Sequence, residues 1–347
     1  MSTDPHLLSV STMVPRHVLR RDDVVERARR IFAGRANDIE RLLPAYVNAG
    51  IDTRYSCVPI EWYERPAGWK ERSRLYLDNA LALGEQAIGA CLLAADLGPE
   101  DIDILVTVST TGITTPSLDA RFQERLGMRR DVLRLPVFGL GCAGGVLGLA
   151  RAGAMARAHP GARVMLAVVE LCGLTFRAND LSKSNIIATA LFGDGAAAVL
   201  LGPGAGPRLA SWGEYAWKGA LDVMGWRIED DGFGVLFSRD IPALIRADFR
   251  PVVDGFLRDR GLRLADIDGM ICHPGGAKVV AALEEALDLP TGGLDPERDV
   301  LRRYGNMSAA TILFVLRDAL LAGRQGRQMM TGLGPGFTAG FALLNFP

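Results

Sequence analysis

Three residues stand at element boundaries where their side chains could do chemistry. Cys142 lies in PVFGLGCAGGVLGLARA, where a strand runs through Gly141 into Cys142, Ala143 and two glycines before an apolar helix. Free amides and the dipole at a helix start favour an anion, so a thiol here is expected to have a lowered pKa and to act as a thiolate nucleophile. A small core residue satisfies the same string, because free cysteines are among the most buried residue types. His273 ends the strand-like DGMICH and precedes Pro274, Gly275 and Gly276. That position puts its ring at the carboxyl edge of a sheet, where α/β proteins keep their sites; a structural strand-end histidine is the other reading. Asn306 follows Gly305 ahead of an apolar helical stretch, and read alone it needs no role beyond capping that helix.

The elements that must position these residues alternate between Val, Ile and Leu runs and Ala-rich helical stretches, which is α/β grammar with strands covered on both faces. Strands are expected over Ile102–Val108, Leu133–Phe138, Arg163–Glu170, Ile267–Cys272 and Gly340–Leu344. Helices are expected over Leu118–Leu126, Gly144–Ala158, Ala277–Ala286 and Ser308–Leu321. The Gly- and Pro-rich GPGAGPRL, Gly202–Leu209, punctuates the chain and places a boundary near residue 208, giving halves of 1–208 and 209–347. The charged and aromatic segment Arg20–Arg74 reads either as a lid over a site or as a solvated helix and loop. Two further glycine strings, Phe192–Gly202 and Gly332–Gly340, fail the dinucleotide fingerprint: the first resolves into a strand and the second contains Pro335. Tight turns framing a cavity explain them better.

Composition narrows the function classes. The chain has 347 residues, 49% hydrophobic and 23% charged, enough for about two compact domains. Lys+Arg at 39 against Asp+Glu at 40 leaves no cationic surplus for a nucleic-acid backbone. Lysine occurs only at Lys70, Lys183, Lys218 and Lys278. No apolar run reaches the ~18 residues of a membrane span, and MSTDPHLLSVSTMVPRHV lacks the basic start and apolar core of a secretory signal, so a cytoplasmic protein is expected. The five cysteines are scattered without CxxC pairs, against a disulfide framework or zinc cluster, and Cys57, Cys91, Cys172 and Cys272 read as core.

The order Cys, His, Asn, together with GCAGG, ALFGDGAAA, HPGGAKV, YGNMSAAT and GLGPGFT in series, resembles the type III polyketide synthases, the chalcone synthase relatives within the thiolase superfamily, over essentially the whole chain. The resemblance implies an α/β, thiolase-like, duplicated five-layered αβαβα fold. It implies an acyltransferase in which Cys142 carries the acyl chain and His273 and Asn306 complete a triad. Those two would donate to a thioester carbonyl and stabilise the enolate left when malonyl-CoA loses carbon dioxide. No metal and no cofactor are implied, since CoA thioesters are the substrates: an acyl-CoA starter and malonyl-CoA.

By the same resemblance Phe192 is a gatekeeper, and Val235 stands where a second gatekeeper is usual. Thr110, Cys172, Thr175, Ala188 and Ser308 line the cavity, and Gly334, Pro335 and Gly336 shape its cyclisation end. Arg54 and Lys278 are the candidate CoA-binding cations at the tunnel mouth, with ordinary surface charge as the alternative. A homodimer is implied, closed by the loop Thr110–Pro116, in which Thr115-Pro116 is a candidate cis peptide. HPGG favours this family over ketoacyl-ACP synthase III, which typically has HQAN. STTGITTPSLDAR, VELCGLTFR and MGWRIEDDGFGVLFSRDIP look most like bacterial alkylresorcinol and alkylpyrone synthases acting on long acyl starters. The alternatives are a tetrahydroxynaphthalene- or chalcone-type synthase and a catalytically silent acyl-binding homologue.

Overall fold

The longest Val, Leu and Ala runs form strands buried on both faces, as the absence of polar alternation in them requires. The structure, a computed structural model, describes residues 4–32, 40, 42–238 and 240–347. Its strands are β1 (His6–Met13), β2 (His17–Arg20), β3 (Thr53–Ser56), β4 (Ile104–Ser109), β5 (Leu133–Phe138), β6 (Val164–Leu171), β7 (Asp194–Gly202), β8 (Arg208–Ala216), β9 (Met224–Glu229), β10 (Gly232–Phe237), β11 (Gly269–Cys272), β12 (Gly326–Gly334) and β13 (Thr338–Phe346). The helices are α1 (Arg21–Phe32), α2 (Pro44–Asn48), α3 (Trp69–Ala94), α4 (Leu118–Leu126), α5 (Gly144–Ala158), α6 (Lys183–Leu191), α7 (Ile241–Leu244), α8 (Arg250–Arg258), α9 (Ala277–Ala286), α10 (Asp295–Tyr304) and α11 (Thr311–Leu321).

Nine strands hydrogen-bond in the order β11-β12-β13-β8-β1-β7-β6-β4-β5. The joint between β1 and β8 is a single residue pair, His6 with Arg208. On one side of it β1, β7 and β6 run antiparallel to their neighbours and β6, β4 and β5 run parallel. On the other side β8, β13 and β12 are antiparallel and β12 and β11 parallel. The same sequence of pairing senses therefore occurs twice, and the second half lacks only a counterpart of β5.

Alternate residues on each strand feed different cores, which makes the layers. From β6, Val164, Leu166 and Val168 join a central core with α5, α11 and strands of both halves. Met165, Ala167 and Val169 face the opposite way, into a core with α3 and α4. Residues of α8 and α9 cover the second half with Met329, Phe341 and Leu343. The stack is helix, sheet, helix, sheet, helix, the duplicated αβαβα arrangement.

Four expected elements, Leu118–Leu126, Leu133–Phe138, Gly144–Ala158 and Ala277–Ala286, have the observed bounds. The helix expected from Ser308 instead opens as a 3-10 turn, Ser308–Ala310, and becomes α-helical at Thr311. Ser308 is left-handed at φ 48, which a side chain with a Cβ adopts only at a cost and which breaks the helix start. The expected strand at Ile267 starts at Gly269, because Leu264–Asp266 forms a 3-10 turn. Of the segment Arg20–Arg74, residues 33–39 and 41 lie outside the described residues; its described parts include α1, α2 and the β2–β3 hairpin.

The central layer has almost no spare volume. A Cβ on Gly145 would lie 2.4 Å from the Ala309 carbonyl oxygen and 2.5 Å from Cγ2 of Ile312. Gly145→Ala should therefore lower stability by about 1–3 kcal/mol, the usual range for overpacking, and a denaturant melt will read it. A melt matching the parent would mean that α5 can retreat from the turn.

Candidate active site

The two glycines after Cys142 determine what the cysteine meets. A Cβ on Gly144 would fall 2.9 Å from Cβ of Ala309 and 2.9 Å from Cγ1 of Val108, so the start of α5 touches the Ser308–Ala310 turn backbone to backbone. Cys142 sits just before, in the 3-10 turn Gly141–Ala143. Gly141 is left-handed at φ 47, and its N–H donates to Oγ1 of Thr110 at 2.9 Å. Asn306 is pinned from the other side. Its N–H donates to the Leu191 carbonyl at 2.8 Å, its own carbonyl accepts from Gly193 N at 3.0 Å, and it forms a β-bridge with Phe192.

The Asn306 side chain performs both of the tasks open to it. Oδ1 accepts from Ser308 N at 2.8 Å, as a capping residue would. Nδ2 donates to the Gly275 carbonyl at 3.0 Å, and both Oδ1 and Nδ2 stand 3.9 Å from Sγ of Cys142. His273 shares one cavity with Cys142 and Asn306, closed by Met224, Phe237 and Leu333. Its N–H donates to the Thr331 carbonyl at 2.9 Å, and neither ring nitrogen has a protein partner. Gly332 spaces the pair: a Cβ there would be 3.2 Å from the Cys142 carbonyl oxygen and 3.3 Å from Cβ of His273.

Electrostatics in this chamber overturn one expectation. The helix start was expected to depress the thiol, but burial pushes Cys142 up to about 12, and the nearby Glu170 carboxylate adds to the rise. Hydrogen bonding to Ser308 and Asn306 opposes it without prevailing. Burial also drives His273 down to about 3. Cys142 lines a cavity walled by Met224, Phe237 and Leu333, and the loss of solvent there outweighs the amides of the turn. Burial thus disfavours the charged form of both groups, and both imidazole nitrogens are without a protein partner.

Sequence reasoning missed two buried carboxyls. Glu170, at the end of β6, accepts through Oε2 from Thr110 N at 3.0 Å and from Oγ1 of Thr111 at 2.8 Å, and its Oε1 has no partner. Burial raises Glu170 to about 7. Asp194 accepts from Cys57 N at 2.8 Å and Gly173 N at 2.7 Å, and burial raises it to about 6. Both belong to strings that were noted, VELCG and LFGDG. An acid at a fully buried strand end was the available signal.

Most of the sequence-derived cavity residues fall around two spaces. Cys172, Thr175, Ala188 and Phe192 line an apolar slot walled on the far side by Val24, Ala28, Ile31 and Phe32 of α1, so described parts of the segment read as a lid do form a wall. Phe192, Val235, Ser308 and Pro335 line a second space with Cys142 and Trp226. Phe192 borders both spaces, with its ring 6.0 Å from that of Trp226. Thr110 touches this group through its carbonyl, which accepts from Nε1 of Trp226 at 3.0 Å. Gly334 ends β12, where a Cβ would be 2.4 Å from the Leu140 carbonyl oxygen. Gly336 makes the hairpin turn at φ 68 and donates to the Met224 carbonyl. Thr115-Pro116 is cis.

The two candidate CoA cations separate. Arg54 is 3% exposed, with its guanidinium donating to the Thr189 and Phe192 carbonyls. That corrects its placement at a tunnel mouth: the charge is enclosed and holds the backbone beside Phe192. Lys278 is exposed in the first turn of α9, where it lines a groove of about 500 Å³ with Lys183. Gly275 and Val279 border both this groove and the Cys142 chamber.

Residues 3–207 match the N-terminal domain of the chalcone and stilbene synthases, and residues 218–345 match the C-terminal domain. The chain belongs to that family. It is 41% identical to a 1,3,6,8-tetrahydroxynaphthalene synthase of Streptomyces peucetius subsp. caesius over 97% of this chain and 92% of that protein. It is 37% identical to a putative chalcone synthase of Bacillus subtilis over 98% of each. The crystal structure of 1,3,6,8-tetrahydroxynaphthalene synthase from Streptomyces coelicolor, a bacterial type III polyketide synthase, superposes with a TM-score of 0.94 at 29% identity, covering 98% of this chain and 99% of that one. This member of the family is accordingly a type III polyketide synthase, a condensing acyltransferase with the thiolase-type fold. Among the described residues no helix is long and apolar enough to cross a membrane.

A thiol raised by burial has little thiolate until the pH approaches its pKa, so alkylation should rise with pH and keep rising above the ~8.5 of a free cysteine. Iodoacetamide inactivation rates across pH, with the modified residue mapped to Cys142, will check this. A plateau reached well below 8.5 would show instead that an imidazolium partner holds the sulfur ionised.

Proposed function

We propose that this protein condenses malonyl-CoA onto an acyl-CoA starter held on Cys142, with His273 and Asn306 as the other two members of the catalytic set. The supporting observation is the convergence of the three side chains on one enclosed cavity, with both imidazole nitrogens unpartnered. In starter loading, Sγ attacks the thioester carbon as its proton passes to His273, and CoA leaves as its thiol after taking a proton. Malonyl-CoA then loses carbon dioxide, and the electrons of the broken C–C bond form an enolate. Donors from His273 and Nδ2 of Asn306 hold that oxyanion in a site with little water, where each hydrogen bond counts for more. The enolate carbon attacks the Cys142 thioester, a C–C bond forms and sulfur is released. No metal or redox cofactor takes part in this sequence.

CoA thioesters enter by the groove that carries Lys278 and Lys183, since it adjoins the Cys142 chamber through Gly275 and Val279. The slot behind Phe192 is apolar and lined by small residues at Cys172, Thr175 and Ala188, which favours a long acyl starter and alkylpyrone or alkylresorcinol products. A second reading, production of tetrahydroxynaphthalene from malonyl-CoA alone, is favoured by the 41% identity to a synthase of that name. A relative at 27% identity, the alpha-pyrone synthesis polyketide synthase-like Pks18 of Mycobacterium tuberculosis, favours the first. The chain divides near residue 208, where the two halves of the sheet meet at one residue pair. The protein acts in the cytoplasm as a homodimer; exposed Ile113 in the loop Thr110–Pro116, and Leu133 and Phe138 on the edge strand β5, supply apolar surface for a second copy.

Purified enzyme supplied with malonyl-CoA, alone and with acyl-CoA starters of graded length, should yield extended products by mass spectrometry with the long starters. Products from malonyl-CoA alone would favour the second reading, and none from any mixture would defeat both. Asn306→Ala should lower kcat by roughly 10²- to 10³-fold, as loss of an oxyanion donor does, with KM for the starter little changed. Ala188→Phe should remove activity toward long starters and spare short ones if the slot holds the chain; equal loss at every length would place the chain elsewhere.

A further inference from the structure

The strand that delivers His273 has an unusual edge. β11 is the last strand on its side of the sheet, hydrogen-bonded only to β12. Its counterpart in the first half, β4, has β5 on its outer side. Among the described residues no strand covers β11 there, yet its outward peptide groups lie in the interior, where an unpaired polar group is costly. Two side chains take up the work of the missing strand. Oε1 of Glu297 accepts from Cys272 N at 3.0 Å, and Nη1 of Arg324 donates to the Met270 carbonyl at 2.7 Å.

Glu297 is 0% exposed and its second oxygen has no partner. A buried carboxyl with half its acceptor capacity unused is a poor stabiliser, because its desolvation is only partly offset. Its location explains what it does contribute. It lies in the first turn of α10, and α10 runs without interruption to Tyr304, after which come Gly305 and Asn306. One end of a single helix thus grips the residue before His273, and the other end leads into Asn306. The His273 ring has no hydrogen bond of its own, so its place is determined by backbone and packing. The His273 N–H is fixed on Thr331 of β12, and the preceding N–H on Glu297.

We propose that Glu297 is a positioning residue, a tie between β11 and α10 that holds His273 in register with Asn306 across the Cys142 chamber. The proposal rests on the catalytic roles given above to His273 and Asn306. Burial raises Glu297 to about 7, and Oε1 can go on accepting from Cys272 when the proton rests on the unpartnered Oε2. A glutamine preserves that acceptor, whereas alanine removes it and aspartate is one methylene too short.

The test measures kcat, starter KM and melting temperature for Glu297→Gln, Glu297→Asp, Glu297→Ala and Arg324→Ala beside His273→Ala. Misplacing a reacting group by about 1 Å can cost as much as ~10²-fold, so the aspartate and alanine variants should lose roughly 10- to 100-fold in kcat, with starter KM unchanged. Glu297→Gln should retain most of the parental kcat. Arg324→Ala, which frees a carbonyl on the same edge but farther from His273, should melt earlier while keeping kcat per folded molecule. Parental kcat in Glu297→Asp or Glu297→Ala, assayed well below its melting temperature, would overturn the proposal, as would equal kcat losses in the Glu297 and Arg324 variants. If Glu297→Ala does not fold, the aspartate and glutamine pair decides alone. A His273→Ala enzyme with parental kcat would instead overturn the reading of the triad itself, so the two failures are distinguishable.

Discussion

One backbone contact sets the geometry of the site: the start of α5 pressed against the Ser308–Ala310 turn, with Gly144 and Gly145 leaving no room for a Cβ on either. It lies in the central layer, where both halves of the sheet contribute to a common core. Each half delivers its reactive residue at the start of a central helix, Cys142 before α5 and Asn306 before α11. Because the two helix starts meet through glycine, those side chains come within 3.9 Å although 164 residues separate them. A Cβ at either glycine would meet the facing turn at less than 3.0 Å, so one of the two elements would have to shift.

The same burial that assembles the chamber sets its charge state. Met224, Phe237 and Leu333 wall the cavity around Cys142, His273 and Asn306, and Phe192 and Trp226 line the space beside it. An ionised sulfur or imidazolium is therefore expensive at rest, and the neutral pair is the ground state. Under the proposed mechanism the same burial would serve the chemistry in the other direction, since an enolate met by fixed donors in an apolar cavity needs little reorganisation. Glu170 extends this environment. Held by Thr110 and Thr111, it places a buried carboxyl raised to about 7 near the cysteine.

Much of this was legible in the sequence wherever a single local rule decided the outcome. The buried strands announced themselves by unbroken apolar runs, and α4, α5 and α9 by their punctuation, so their bounds were readable. Cys142, His273 and Asn306 were each readable as residues at element ends. What failed were the quantities that depend on distant groups. The direction of the Cys142 shift follows from how much protein surrounds the sulfur, which no local string encodes. Arg54 carried a charge that suited CoA, but the carbonyls that claim it lie on α6 and the following loop, some 135 residues away. Glu297 reads as an ordinary acidic residue in a helix first turn until β11 proves to be an edge strand. Ser308 looked like the first residue of a helix, and its left-handed backbone appears only in the turn that α5 presses against.

Taken together, the charged groups divide by depth according to what each can do there. Lys183 and Lys278, half of the chain's lysines, stand exposed on the groove, where an ammonium can meet a phosphate without losing its hydration. Arg54 and Glu297 lie inside, and neither has an opposite charge as its hydrogen-bond partner; both act on peptide groups, at Thr189 and Phe192 in one case and at Cys272 in the other. A buried polar group spent on backbone is a weak source of stability but a strong geometric restraint, because releasing it would strand both that group and the peptide dipole. Phe192 and His273 border the two sides of the Cys142 chamber, and each is held by such a restraint in addition to packing. The duplicated fold brings Cys142, His273 and Asn306 to one cavity, and Arg54 and Glu297 tie the backbone beside Phe192 and His273.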